Sequence, residues 1–354
     1  MRGGEKVLEA LCRLFPDADI YTHVVAPAAL SETLRAHTIA ETFVGRLPGA
    51  RRFYQSYLPF MPRALEGLDL RGYDLVVSSE AGPAKGIIPP PDAPHLCYCH
   101  SPMRYVWDQY QTYRASAGPL ARLAMPQVAH RLRQWDVTSA ARVDRIVANS
   151  SHVAARVTKY WRREADVVHP PVDVHRYAPT PDLGDYYLWA GELAPYKRPD
   201  LAVDAFTRSG RKLIMIGGPE KARRRLARHA GPSVTLLGKV DQATLQHHLA
   251  RCRALVFPGE EDFGIVPVEA MASGRPVIAY GRGGALDTVV DGVTGTTFDE
   301  QSVDGLNAAI DRFEQDRLDL LDPERLVAHA SRFDEAAFRR GLTASLGALG
   351  VSVD

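Results

Sequence analysis

The 354-residue sequence has little cysteine, no long apolar run and no dominant charge, and each shortage closes off a class of protein. Its four cysteines, Cys12, Cys97, Cys99 and Cys252, form no C-x-x-C pair. Neither a disulfide framework nor a zinc site is signalled, and buried thiols are expected. No uninterrupted apolar stretch approaches the roughly 18 residues that span a bilayer, and the start, MRGGEKVLEA, carries no apolar signal region, so a cytoplasmic protein is expected. The basic residues form no dominant stripe of the kind that tracks nucleic acid. No phosphate loop of the form G-x-x-x-x-G-K-S/T occurs. The turn Gly281-Arg282-Gly283-Gly284 suits close phosphate approach but is not a dinucleotide fingerprint, because Leu286 stands where the third glycine belongs.

What is present is an ordinary globular composition, 45% apolar and 24% charged, long enough for two domains. Net charge is +1, yet residues 1–177 hold 22 Lys and Arg against 17 Asp and Glu, whereas residues 178–354 hold 21 against 25. The positive excess of the first half is either ordinary solvated surface, the commoner case for so mild an excess, or suited to an anionic membrane face or a phosphate-bearing acceptor. Short apolar strand patterns at 20–24, 74–78, 95–100, 145–148, 187–190, 213–216, 234–237, 254–257 and 277–279 alternate with helical ones, which predicts an α/β protein with parallel sheets. A Pro- and Asp-rich stretch at 172–185 reads as a linker, giving domains at 1–177 and 178–330 and a terminal segment at 331–354. In the long helical pattern 118–141, Leu120, Leu123, Val128, Leu132 and Trp135 are expected to pack on a sheet. Its arginines, Arg122, Arg131 and Arg133, leave membrane-surface contact as the alternative.

The most informative stretch is 259–280, GEEDFGIVPVEAMASGRPVIAY. Phe263-Gly264 supplies a flexible turn, Pro267 sits where the first turn of a helix tolerates proline, and Gly274 can close that helix in the left-handed conformation. Strand, glycine turn, helix, glycine, strand is a βαβ unit, and its helix start aims free N–H groups and a positive dipole end at an anion. Two acids flank the turn, Glu261 before the helix and Glu269 in its expected first turn. Either they complement the helix N-terminus, or Glu269 accepts hydrogen bonds from a vicinal hydroxyl pair such as a ribose offers. Lys197 lies in the turn after the strand 187–190, and His100 closes the strand 95–100. In a parallel sheet both places face a ligand crevice.

Glu261-x7-Glu269 with Phe263-Gly264 inside it, Glu269-Ala270-Met271-Ala272 after it and the block GELAPYKRPDLAVDAF at 191–206 resembles retaining glycosyltransferase family 4. The nearest look is of GDP-mannose-dependent mannosyltransferases of polysaccharide synthesis, and the likeness runs from Gly3-Gly4 to about Val303. It implies the GT-B architecture: two facing Rossmann-like doubly wound domains with a nucleotide-sugar between them, and a terminal segment that crosses back to the first domain. It also implies roles. Lys197, assisted by Arg198, and the helix start at Phe263, Gly264, Ile265 and Val266 would stabilise the departing diphosphate. Glu269 would hold the ribose, the main chain around Val240 the base, and Glu261 and His100 the sugar. Gly3 and Gly4 would leave room for the acceptor and the sugar phosphate. The implied partners are a nucleotide-sugar donor, GDP-mannose in the favoured case, and a glycan or lipid-linked acceptor. Peripheral inner-membrane contact through the first domain is an accompanying expectation; no metal or other cofactor is implied.

The sequence departs from the family at Glu192, where many members carry Arg, and Arg198 or Arg275 are the candidates to compensate. Two other readings stay open: a glycosidase with Glu261 and Glu269 as its acid pair, and a non-catalytic sugar-nucleotide binder. Because only Met1-Arg2 precede Gly3-Gly4, which read as a strand-to-helix turn, the first strand of the sheet is missing from the sequence and is expected upstream.

Overall fold

The computed structural model describes residues 3–353. The chain divides into two units, one of residues up to Pro171 together with Phe338–Asp354, the other Val172–Ala337. In the first unit β1 (Ile20–Thr22) and β2 (Ile39–Glu41) form a parallel pair. A four-stranded parallel sheet follows in the order β3 (Val76–Glu80), β4 (His95–Cys99), β5 (Arg145–Ala148) and β6 (Asp166–Val167). Every residue of β4 is buried, as a strand between two helical layers should be. Leu96 and Tyr98 meet Val7, Leu11 and Leu14 of helix Gly3–Leu14 and Phe338, Leu342 and Leu346 of helix Glu335–Gly347. On the other face Cys97 and Cys99 meet Val153, Val157 and Trp161 of helix Ser151–Trp161. All four cysteines are buried and free.

Several expectations need correction here. Gly3 and Gly4 are the first residues of a helix, not a turn. Ser150 caps helix Ser151–Trp161, its hydroxyl accepting from Val153 N–H at 3.1 Å. Among the described residues β1 and β3 belong to separate sheets, and the strand expected ahead of Gly3 lies outside those residues. Helix Pro119–Ala140 buries Ala129 and Leu132, but Leu120 and Leu123 are 84% and 80% exposed, because its first turns run beyond the small cluster of Met103, Val106, Ala129 and Leu132 that anchors it.

The second unit is one six-stranded parallel sheet built from β7 (Tyr187–Ala190), β8 (Leu213–Ile216), β9 (Val234–Gly238), β10 (Leu255–Phe257), β11 (Val277–Tyr280) and β12 (Gly295–Phe298). Their spatial order is β12-β11-β10-β7-β8-β9. The chain thus builds outward from β7 on one side, crosses back, and builds outward from β10 on the other, so β7 and β10 flank the switch point where doubly wound sheets bind ligands. Alternate residues feed two cores: Leu188, Leu255, Phe257, Val277 and Ala279 on one face, Tyr187, Trp189, Val256, Ile278 and Tyr280 on the other. Val172, Val174 and Tyr177 pack in the first of these cores, so residues 172–177 group with the second unit instead of ending the first. Phe333 packs there too, and the return to the first unit begins at Phe338 instead of 331.

Candidate active site

The switch point of the second unit brings the loops after β7 and β10 side by side. A Cβ on Gly259 would stand 2.6 Å from Lys197 Cα and 2.8 Å from Tyr196 O, so the two loops touch main chain to main chain and only glycine fits. From the other side the turn after β11 supports the same loop. Gly284 N–H donates to Glu261 O at 2.8 Å, and a Cβ there would lie 2.3 Å from Phe263 Cα.

Lys197 ends the short 3-10 turn Pro195–Lys197, and its Nζ donates to both carboxylate oxygens of Glu261, at 2.6 and 2.7 Å. The two side chains are 15% and 14% exposed, so the pair is largely shielded yet reachable. Arg198, the residue after Lys197, is tied to neighbouring side chains. Its guanidinium is engaged by Asp200 and by Gln301 Oε1 at 3.0 Å, and Gln301 Nε2 donates to Pro258 O at 2.8 Å. Arg198 and Gln301 therefore clamp the two loops together. No sequence signal singled out Gln301.

Beyond the pair, helix Ile265–Ala272 starts after Gly264 with no side-chain cap, which leaves its first N–H groups for a ligand. Ile265, Val266 and Val240 are partly buried and pack against the same core. The Phe263 ring is buried, 5.7 Å centroid to centroid from Phe333, so this residue can offer a ligand only its main chain. Glu269 is the fifth residue of the helix, one turn further in than expected, and is buried. The Tyr177 hydroxyl bonds it; burial, then the Glu269 charge, raises the phenol's pKa, and Gln242 Nε2 in turn donates to the hydroxyl at 3.2 Å. Sequence reasoning missed Tyr177 because it falls in the proline-rich stretch read as a linker. Arg275 precedes β11, at the N-terminal end of the parallel strands, whereas Glu261 and the exposed Glu192 follow theirs at the C-terminal end, so Arg275 cannot compensate for Glu192.

In the first unit, His100 follows β4. Its N–H donates to Glu80 O at 2.7 Å and its Nε2 shares a 2.8 Å hydrogen bond with Ser79 Oγ. Asn149 Nδ2 donates to His100 O at 3.1 Å. Burial pushes the imidazole down to about 4, so it is neutral at physiological pH and acts as a hydrogen-bonding group. A Cβ on Gly4 would lie 3.6 Å from His100 Nε2, which puts the helix start and the histidine together.

Comparison with known proteins decides the family. Residues 1–176 match Glycosyltransferase Family 4 and residues 179–338 match Glycosyl transferases group 1. A GDP-mannose-dependent alpha-(1-6)-phosphatidylinositol monomannoside mannosyltransferase of Mycolicibacterium smegmatis is 31% identical, over 63% of this chain and 69% of that protein. The chain belongs to the family 4 glycosyltransferases. A D-inositol 3-phosphate glycosyltransferase of Nocardia farcinica is 32% identical over 59% of this chain and 53% of its own, so the chain spans about half the length of such relatives. Among solved structures, Anabaena HepE in complex with UDP and glucose matches with a TM-score of 0.71 at 18% identity, covering 98% of this chain and 96% of that one. Sucrose-phosphate synthase from Thermosynechococcus elongatus matches with a TM-score of 0.74 at 18% identity, covering 98% and 92%. These likenesses show the GT-B fold class, with parallel sheets in two Rossmann-like domains. Membership in this family removes the ground for reading Glu261 and Glu269 as a glycosidase pair.

Proposed function

We propose that this family 4 glycosyltransferase is a retaining, metal-independent enzyme that moves a hexose, mannose from GDP-mannose in the favoured case, onto a glycan or lipid-linked acceptor. The observation that carries this reading is the Lys197–Glu261 pair at the β7–β10 switch point, beside an uncapped helix start. A nucleoside diphosphate leaving group gains negative charge as its bond to the sugar breaks. A fixed ammonium and a helix N-terminus, equivalent to about half a positive charge, stabilise that charge without reorganising. Glu261 holds the ammonium in place and offers its carboxylate to the sugar, while Glu269, set by Tyr177, takes the ribose hydroxyls. The departing phosphate oxygen can itself accept the acceptor's proton.

The experiment is a donor panel assayed for nucleoside diphosphate release and glycosylated product, repeated with EDTA. Transfer is expected to be unaffected by the chelator; a rate restored only by manganese or magnesium contradicts the metal-independent assignment. Glu269→Gln keeps the shape and an acceptor for Tyr177 but loses the charge. It is expected to weaken nucleotide binding by about 1.5 to 3 kcal/mol in calorimetry, with thermal unfolding unchanged. Native affinity in that variant removes Glu269 from the site.

Cytoplasmic residence with peripheral contact at an anionic membrane completes the reading. No helix of the described residues is long and apolar enough to cross a membrane. The exposed Leu120 and Leu123 lie in a stretch, 109–135, that contains four arginines and no acid. Sedimentation with vesicles rich in anionic lipid is expected to carry the protein down and to lose it on Leu120→Asp with Leu123→Asp. Equal binding by the double variant and the native chain rules this surface out.

A further inference from the structure

The end of β3 in the first unit carries a charge cluster that none of these roles uses. Glu80, Lys85 and Asp136 are fully buried. Asp136 is satisfied from three sides: Lys85 Nζ donates to Oδ1, and the Trp107 and Trp161 indoles both donate to Oδ2 at 2.7 Å. The Lys85 ammonium also lies 4.3 Å from the centroid of the Trp161 ring. Glu80 is the odd member. Its Oε2 accepts from Lys85 N–H at 2.7 Å, but its Oε1 has no hydrogen-bond partner and stands 3.7 Å from Lys85 Nζ. One cation therefore serves two carboxylates in a dry interior, where a second full negative charge is costly.

The same two residues that end β3 also hold His100. The Glu80 carbonyl accepts the His100 N–H, and Ser79 Oγ shares the hydrogen bond to the imidazole. We propose that Glu80 is a positioning residue for His100: its uncharged carboxyl, packed against Lys85 and Asp136, fixes the strand end that holds the imidazole, and its ionisation draws Lys85 Nζ from Asp136 and shifts that strand end. The proposal rests on the reading of His100 as a group that orients the donor sugar.

Burial pushes the Glu80 carboxyl up to about 7; Lys85 pulls it down, Asp136 pushes it up again, and the N–H groups of Lys85 and Gly82 pull it down. Burial opposes the charge on Lys85, but Glu80 and Asp136 outweigh it and raise the pKa, so the ammonium persists. The Cys97 and Cys99 thiols and the Tyr105 phenol, all raised chiefly by burial, stay neutral, and burial pushes the His95 imidazole beside them down to about 4. None of these thiols, the phenol or the imidazole changes charge near neutrality; Glu80 does. Because its folded value is raised, the stability it contributes is greatest in acid and declines as pH rises from the ordinary carboxyl range towards 7.

The test is the side-chain proton–nitrogen NMR spectrum of the histidines in the full chain, followed across neutral pH, with His100 assigned by its loss in His100→Gln. The native His100 signals are expected to move with a midpoint near 7, although the imidazole itself is neutral there, and to stand still in Glu80→Gln, which keeps the shape of the uncharged acid. The native kcat/KM is expected to fall as pH rises through the same window and to be flat in Glu80→Gln. A native His100 signal indifferent to pH overturns the proposal without any variant, and movement that persists in Glu80→Gln overturns it equally. If the signals behave as expected while His100→Gln transfers sugar at the native rate, Glu80 still positions the histidine and it is the role of His100 that fails.

Discussion

Replacing Lys197 with alanine is expected to lower kcat by about 100- to 1,000-fold, the scale of losing one preorganised donor at a developing negative charge. Binding of the nucleoside alone should change far less. The split follows from geometry: Lys197 stands with Glu261 at the switch point, whereas the proposed ribose and base contacts, Glu269 and the main chain around Val240, belong to other elements. An interaction made mainly in the transition state appears in kcat, and one made equally in the ground state appears in KM. Steady-state kinetics beside nucleoside calorimetry separates the two. Equal losses in turnover and nucleoside affinity would make Lys197 a binding residue only.

Gly259→Ala is expected to cost turnover on nearly the same scale, about 100-fold, with every proposed functional side chain still present. The added Cβ would stand 2.6 Å from Lys197 Cα, and its neighbours there are main chain, which cannot rotate away as a side chain could. The loop carrying Lys197 must therefore move relative to the loop carrying Glu261. Gly118→Ala, where an added Cβ meets nothing within 4 Å, is the control and should behave as native. Native turnover in Gly259→Ala, measured with thermal unfolding to establish that the protein is folded, would show that the loop contact does not set the site.

The sequence made the chemistry of the second unit legible because that chemistry sits in punctuated βαβ turns. Gly264 and Gly274 bracket helix Ile265–Ala272, and both take positive φ, +87° and +70°. Lys197 and Glu261 were each visible as loop residues after a strand, but their mutual hydrogen bonds were not, because contact between two loops depends on strand order, and nothing local in the sequence reveals that β7 and β10 are neighbours. Gln301 and Tyr177 were invisible for the same reason. Each acts through a residue distant in sequence, and each lies in a stretch whose composition reads as linker or loop. Periodicity misplaced Leu120 and Leu123, since an apolar helical stripe is the same pattern whether or not a neighbouring element covers it. The buried partners of Lys85 could not be read from the sequence either, since a lysine in a loop between strands carries no sign that two carboxylates enclose it.

The most direct measurement of the central claim is the anomeric configuration of the product, read by proton NMR after incubating the chain with nucleotide-sugars and candidate acceptors. The account predicts strict dependence on a nucleotide-sugar, release of the nucleoside diphosphate, and a new glycosidic linkage with the configuration of the donor, all lost together in Lys197→Ala. An inverted linkage, or cleavage of glycosides without any nucleotide, would contradict it.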